Sequence, residues 1–125
     1  MTNRRIGYLG EKFVGNYLQK SGYEIVEYNY TIKGGELDII AIKDDIIAFV
    51  EVKTRDVNSL DNGFEAVTSK KKQHIAKTAQ HYYLKTECEL QPRFDIVVLT
   101  VKSTAILNIN YVENAFDLSG MDIVF

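Results

Sequence analysis

The run Glu36-Leu37-Asp38-Ile39-Ile40-Ala41-Ile42-Lys43-Asp44-Asp45-Ile46-Ile47-Ala48-Phe49-Val50-Glu51-Val52-Lys53 decides the fold of this chain. Two β-branched stretches, 36–42 and 46–53, flank the polar Lys43-Asp44-Asp45, the pattern of two strands joined by a tight turn. Whether the turn uses Asp44-Asp45 or the four residues from Lys43 to Ile46, Ile42 faces Ile47. The same register sets Asp38 opposite Glu51 and Glu36 opposite Lys53. Directly opposed residues hold their Cβ atoms about 4.5–5.5 Å apart on one face, so two carboxylates would meet. Like charges so placed destabilise a sheet unless one protonates or a cation joins them. Ile40, Ile42, Ile47 and Phe49 continue that face, so the charges stand at the end of a buried surface rather than on a solvated hairpin. An oxygen-only pair suits a hard cation, Mg²⁺ or Mn²⁺ in preference to Zn²⁺. Lys53 shares the face of Glu51 two residues on, where an ammonium can hold an attacking water or stabilise charge on a phosphate.

Upstream, Ile6, Leu9, Phe13 and Tyr17 recur at the spacing of one helix face over residues 6–20, and Ser21-Gly22 supplies the stop. Glu11 falls at the edge of that face beside Gly7, Val14 and Leu18, either a rim charge or a carboxylate turned into a cleft. Residues 24–30 read as a short strand and Lys33-Gly34-Gly35 as a turn. Downstream, 68–85 gathers Ile75, Ala76, Ala79, Tyr82 and Tyr83 on one side of a second helix. Residues 94–101 form an apolar run of strand length, as in a strand covered on both faces, and 105–111 a further strand. The order α-β-β-β-α-β-β predicts an α/β fold: one domain over residues 1–125, its central mixed β-sheet flanked by helices.

The 125 residues are 46% hydrophobic, enough for a single core, and one proline with no Ser/Gly-rich stretch gives no linker. The longest apolar run, around Ile46 to Val50, is far below the roughly 20 residues of a membrane span, and residues 1–5 lead into a mixed helix rather than a signal peptide. No membrane association and a cytoplasmic location are the expectation. Cys88 stands alone, which excludes an internal disulfide and a cysteine-based zinc cluster. With 15 basic and 17 acidic side chains the net charge is −2, so nucleic-acid binding requires charge segregated onto one face. Lys70, Lys71, Lys72 and Lys77 provide such a cluster, and Arg4 with Arg5 a smaller one. Lys71 borders the apolar face of helix two, where it either approaches the cleft or lays its stem over the core. Arg93 opens an internal strand, as a phosphate clamp or as a structural partner of Asp95 or Glu36. His74 and His81 share a helix face without a third ligand and read as surface residues.

Asp38 followed by Glu51-Val52-Lys53 resembles the PD-(D/E)xK motif of the restriction-endonuclease-like superfamily, with Leu37 in place of the motif's proline. The wider set is similar to the YraN-like family of small bacterial proteins. It comprises Gly7-x-x-Gly10-Glu11, Gly22-Tyr23, Gly35 to Ala41, Phe49-Val50-Glu51-Val52-Lys53-x-Arg55, Glu65-Ala66-Val67 and Arg93-Phe94-Asp95. This resemblance covers nearly the whole chain and implies a restriction-endonuclease-like fold. It extends to Holliday-junction resolvases through a helix glutamate ahead of the core, which assigns Glu11 an active-site role. A Gly-x-Pro step common in the family is replaced by Asp61-Asn62-Gly63-Phe64. The resemblance implies that Asp38 and Glu51 bind the divalent ion with the Val52 main-chain carbonyl, that Lys53 orients or activates water, and that Glu11 is a further metal or water ligand. Lys71, Arg93 and Arg55 are the candidate substrate contacts. The expected function is a metal-dependent endonuclease acting on DNA, branched or structured DNA included, with a homodimer left open. The alternatives are a non-catalytic nucleic-acid-binding accessory protein in DNA processing or uptake, and a protein scaffold.

Overall fold

The computed structural model describes residues 3–125, with side chains from Arg5 onward. In chain order come α1 (Asn3–Lys20), β1 (Glu24–Ile32), β2 (Gly35–Lys43), β3 (Ile46–Asp56), a 3₁₀ turn at Phe64–Ala66, α2 (Ser69–Lys85), β4 (Gln91–Lys102) and β5 (Ala105–Phe116). The strands form one five-stranded open sheet in the order β1-β2-β3-β4-β5. The β3–β4 pair is parallel and the other three pairs are antiparallel. The mixed α/β class and the element order are those the sequence predicts. The β2–β3 hairpin turns at Asp44-Asp45, with Lys43 opposite Ile46 and Ile42 opposite Ile47. A parallel pair needs a crossover, and α2 supplies it between β3 and β4.

The helices cover opposite faces of the sheet. Val14 and Leu18 of α1 pack on Ile39, Ala41, Val50 and Leu99; on the other face Ile75 of α2 packs with Ile40, Ile47, Phe49, Phe94 and Ile96. β4 contributes to both clusters, which explains its unbroken apolar run. The apolar stripe expected to define the inner face of α1 is rolled partly outward. Leu9, Phe13 and Tyr17 are 40–42% exposed, while Val14 and Leu18 are fully buried. Glycines let the helix settle on the other side: a Cβ on Gly10 would press on Leu99 and Thr54, and one on Gly15 would collide with the Tyr28 hydroxyl.

One irregularity positions the candidate site. Alternation should put Leu37 and Ile39 on the same face, yet Leu37 packs under α2 and Ile39 under α1. Across the ladder Tyr28 and Tyr30 divide in the same way. Between them Asn29 adopts the left-handed conformation at φ 53°, which Asn tolerates better than most residues. Asn29 and Asp38 thus sit at a point where both strands exchange faces. Among the described residues no helix is long and apolar enough to cross a membrane.

Candidate active site

Asp38 stands at that exchange point, within reach of carboxylates from both helical layers. The β2–β3 ladder ends at the pair Ile39 and Val50. Immediately beyond it, the main-chain amide of Val52 donates to the Asp38 carboxylate at 2.8 Å. The Glu51 side chain lies within hydrogen-bonding reach of Asp38, and so does Glu11 from α1. Glu51 is only 5% exposed. Burial, followed by the neighbouring Asp38, pushes its pKa up to about 9. Burial and the Asp38 charge raise Glu11 to about 7, against an opposing hydrogen bond from Asn29. Three carboxyl groups that cannot all ionise cheaply share one corner of the molecule.

The positive charge beside them comes from α2. Lys71 Nζ lies 3.3 Å from Glu51 Oε2. Burial disfavours the Lys71 ammonium, but contacts with the Lys53 amine and with Glu51 carry its pKa above the ordinary lysine value. Lys53 moves the opposite way, lowered first by the contact with Lys71 and then by burial. Two amines in contact favour a state in which only one is charged, and Lys53 is the one that gives up its proton more readily.

Asp38, Glu51 and Lys71 line a cleft of about 330 Å³ together with Gly35, Glu36, Thr68, Lys70, His74 and Ile75. Thr68 caps α2 by accepting from the Lys71 amide at 3.2 Å, an interaction that typically contributes about 1 kcal/mol. It also fixes the first turn, from which Lys71 reaches Glu51. Gly35 allows the close approach of β2 to α2, since a Cβ there would collide with Thr78 Oγ1. Lys53 lines a second cleft of about 410 Å³ with Ile6, Gly7 and Thr54. Lys53 thus opens to this second cleft from the central strand, while its amine meets Lys71, which lines the first.

The other candidates are placed elsewhere. Arg93 is held by Asp95 at 2.9 Å and by the Tyr23 hydroxyl. Asp95 is 1% exposed and also accepts from the Tyr111 hydroxyl at 2.6 Å and the Asn114 amide at 2.9 Å. Burial and the Asp95 charge raise the Tyr111 pKa far above its ordinary value. This network lies on the α1 side of the sheet and pairs with Ala48, not with Glu51, in the parallel register. Of its two expected roles, Arg93 makes the Asp95 pairing in this structure, away from the carboxyl cluster. Arg55 shares the strand of Lys53 but turns to the following loop, donating to the Ser59 carbonyl at 2.6 Å. The Arg4 side chain lies outside the described ones, and Arg5 is exposed on the first turn of α1.

A family model described as "Uncharacterised protein family UPF0102" matches residues 10–99. The chain belongs to UPF0102. This is the YraN-like family that its motifs resemble. A UPF0102 protein of Alkaliphilus metalliredigens is 43% identical over 115 residues, covering 91% of this chain and 99% of the relative. One from Clostridium perfringens is 39% identical, covering 91% and 95%, and one from Dictyoglomus thermophilum is 43% identical, covering 93% and 100%. In this UPF0102 chain His74 is exposed, as its helix spacing suggests, and it also lines the cleft. Glu36 and Asn29 also join the site's surroundings. The expected pairing of Glu36 with Lys53 lies beyond the last β2–β3 pair, and Glu36 instead stands opposite Thr31 of β1; Asn29 was not legible, because nothing in a β-rich run announces a change of face.

Proposed function

We propose that this UPF0102 protein is a divalent-metal-dependent nuclease of the PD-(D/E)xK type that hydrolyses phosphodiester bonds in DNA. The observation that carries the reading is the meeting of Asp38 with the buried Glu51, with Lys53 and Lys71 alongside. Two neighbouring carboxyl groups, one of them buried, at the end of an apolar surface have no structural purpose that a leucine would not serve better. Among the described residues no group of three or more His, Cys, Asp or Glu side chains stands ready as a metal cage. The donor set nevertheless fits Mg²⁺ or Mn²⁺, which bind through one or two carboxylates and complete their shell with water and substrate phosphate. Asp38 and Glu51 would hold the ion, with the Val52 carbonyl and Glu11 as further candidates. Bound there, it would lower the pKa of a coordinated water and neutralise charge on the phosphate.

The chain's own groups supply the rest. Lys53, whose pKa is lowered, holds the attacking water and can accept a hydrogen bond or proton from it. Lys71 keeps its charge and faces the cleft, where it can steady a phosphate oxygen. The test is a cleavage panel with Mg²⁺ or Mn²⁺ on linear duplex, single-stranded and four-way-junction DNA. Wild type should cut at least one substrate, Asp38→Asn and Glu51→Gln should abolish cleavage, and Lys53→Ala should bind metal yet lose orders of magnitude in rate. One observation favours a second reading. Lys71 already places a cation 3.3 Å from Glu51, so the cluster can persist without a metal. A wild type that retains DNA on a gel but cuts nothing in the panel would establish the non-catalytic binding module instead.

A further inference from the structure

α2 carries five of the chain's 15 basic residues and none of its 17 acidic ones. This arrangement opposes helix stability twice over. Lys70, Lys71 and Lys72 occupy the first turn, where the helix dipole favours anions. Lys70 with His74 and Lys77 with His81 repeat positive or chargeable groups at i,i+4 spacing, where like charges repel. Two of the lysines have local partners: Lys71 meets Glu51, and Lys72 lies over the Phe116 ring. Lys70, Lys77 and Lys85 have no carboxylate partner among the described residues.

Lys70, His74, Lys77, His81 and Lys85 recur at three- and four-residue steps, so they form one stripe along the helix. Its beginning lies in the cleft, which Lys70 and His74 line. Its far half lines a shallow groove of about 620 Å³, into which Lys33 projects from the β1–β2 turn. His81 has a fixed orientation there. Tyr30 Oη lies 2.6 Å from His81 Nδ1. When Nδ1 accepts from the phenol, Nε2 carries the ring proton and is a donor toward the groove.

We infer that this stripe, with Lys33, is a phosphate track that carries one arm of a nucleic-acid substrate away from the cleft. The inference rests on the nuclease reading for the identity of the polyanion. From Lys70 to Lys85 the helix extends about 22 Å at its ~1.5 Å rise per residue. At ~3.4 Å per phosphate along one duplex strand, that spans about six base pairs. Because the cleft lies at one end of the track, the footprint is asymmetric: the bound arm extends mainly to one side of the scissile phosphate.

The experiment compares wild type with the triple variant Lys33→Gln, Lys77→Gln, Lys85→Gln, none of which lines the candidate active-site cleft. Binding to a fluorescent 30-base-pair duplex and to a four-way junction is measured from about 50 to 200 mM salt, with Ca²⁺ as the only divalent ion. Removing three phosphate contacts should flatten the slope of log affinity against log salt by about 2–3 and weaken binding roughly tenfold or more at the upper end. Thermal unfolding of the variant should stay within a few degrees of wild type, since loss of the Lys77 repulsion offsets loss of Lys85 from the last turn, where the helix dipole favours a cation. Wild-type binding with an unchanged slope in the variant would overturn the track and leave the proposed function standing. A wild type that binds neither probe at the lowest salt would overturn the proposed function and the track together.

Discussion

Glu51 concentrates the chemistry of the molecule in one side chain. Its pKa of about 9 and that of Glu11, about 7, both exceed the ordinary carboxyl value of 4.5. A carboxyl group raised in this way binds its proton more tightly in the folded chain than in the unfolded one. Its stabilising effect is complete below about pH 4.5 and is lost as pH rises toward 9. Metal-free protein should therefore show a falling Tm between about pH 5 and 9. Glu51→Gln should flatten that dependence and, at pH 8, stabilise by about 1 kcal/mol, a few degrees in Tm. Differential scanning calorimetry across the pH series decides it, and a Tm that rises through this window in the metal-free wild type would contradict the burial argument. Mg²⁺ or Mn²⁺ should reverse the trend in wild type at pH 8, since a cation replaces the proton that Glu51 would otherwise hold. The Gln variant should give a much smaller metal-induced shift.

At the scale of elements, the hairpin was legible because a two-residue turn fixes the pairs from Lys43–Ile46 to Ile39–Val50, whereas the expected Asp38–Glu51 and Glu36–Lys53 pairs fall beyond the end of that ladder. Ile42 opposite Ile47 could be read from Lys43-Asp44-Asp45 alone. The face of Asp38 was harder to read. Strict alternation groups it with Ile40 and Ile42, but the strands exchange faces at Asn29 and Asp38, and that exchange is what brings Glu11 from the α1 layer toward Glu51 from the α2 side. The roll of α1 was also hidden, because Leu9, Phe13 and Tyr17 form a convincing apolar stripe while the deciding contact is made by residues with no side chain. Gly15 tests this directly. Its Cα faces the Tyr28 ring so closely that a methyl group would overlap the hydroxyl and press on the ring carbons. Gly15→Ala should cost about 1–3 kcal/mol by urea denaturation despite the better helix propensity of alanine. Adding Tyr28→Phe should restore part of that loss by removing the hydroxyl. If Gly15→Ala stabilises the protein instead, α1 does not lie this close to β1.

Over the whole molecule, a net charge near zero conceals three electrostatic districts: the carboxyl cluster midway along β3, the acid-free helix α2 that meets it through Lys71, and the Arg93–Asp95 network near the start of β4. Composition could not reveal this partition, since only folding brings Glu51, Lys71 and Glu11 together and sends Arg93 to the opposite face. The two buried ionic centres should respond independently to mutation. Asp95 accepts from Arg93, Tyr111 and Asn114 while 1% exposed. Asp95→Ala leaves a guanidinium that is 13% exposed without its buried partner, and it orphans a phenol and an amide. Breaking such a pair from one side costs about 3–5 kcal/mol, because the remaining charge stays desolvated. Tyr111→Phe deletes only one hydrogen bond and should cost about 1–2 kcal/mol. Arg93 pairs at the level of Ala48, three residues before Glu51, or about 10 Å along the strand, and on the other face. Titration of Mn²⁺ into the folded Asp95→Ala and Tyr111→Phe proteins at low temperature should therefore give affinities within about twofold of wild type, since sites at this separation usually behave additively. A large loss of Mn²⁺ affinity in the still-folded Tyr111→Phe protein would mean that the network positions the carboxyl cluster, and Arg93 would then return to the functional site.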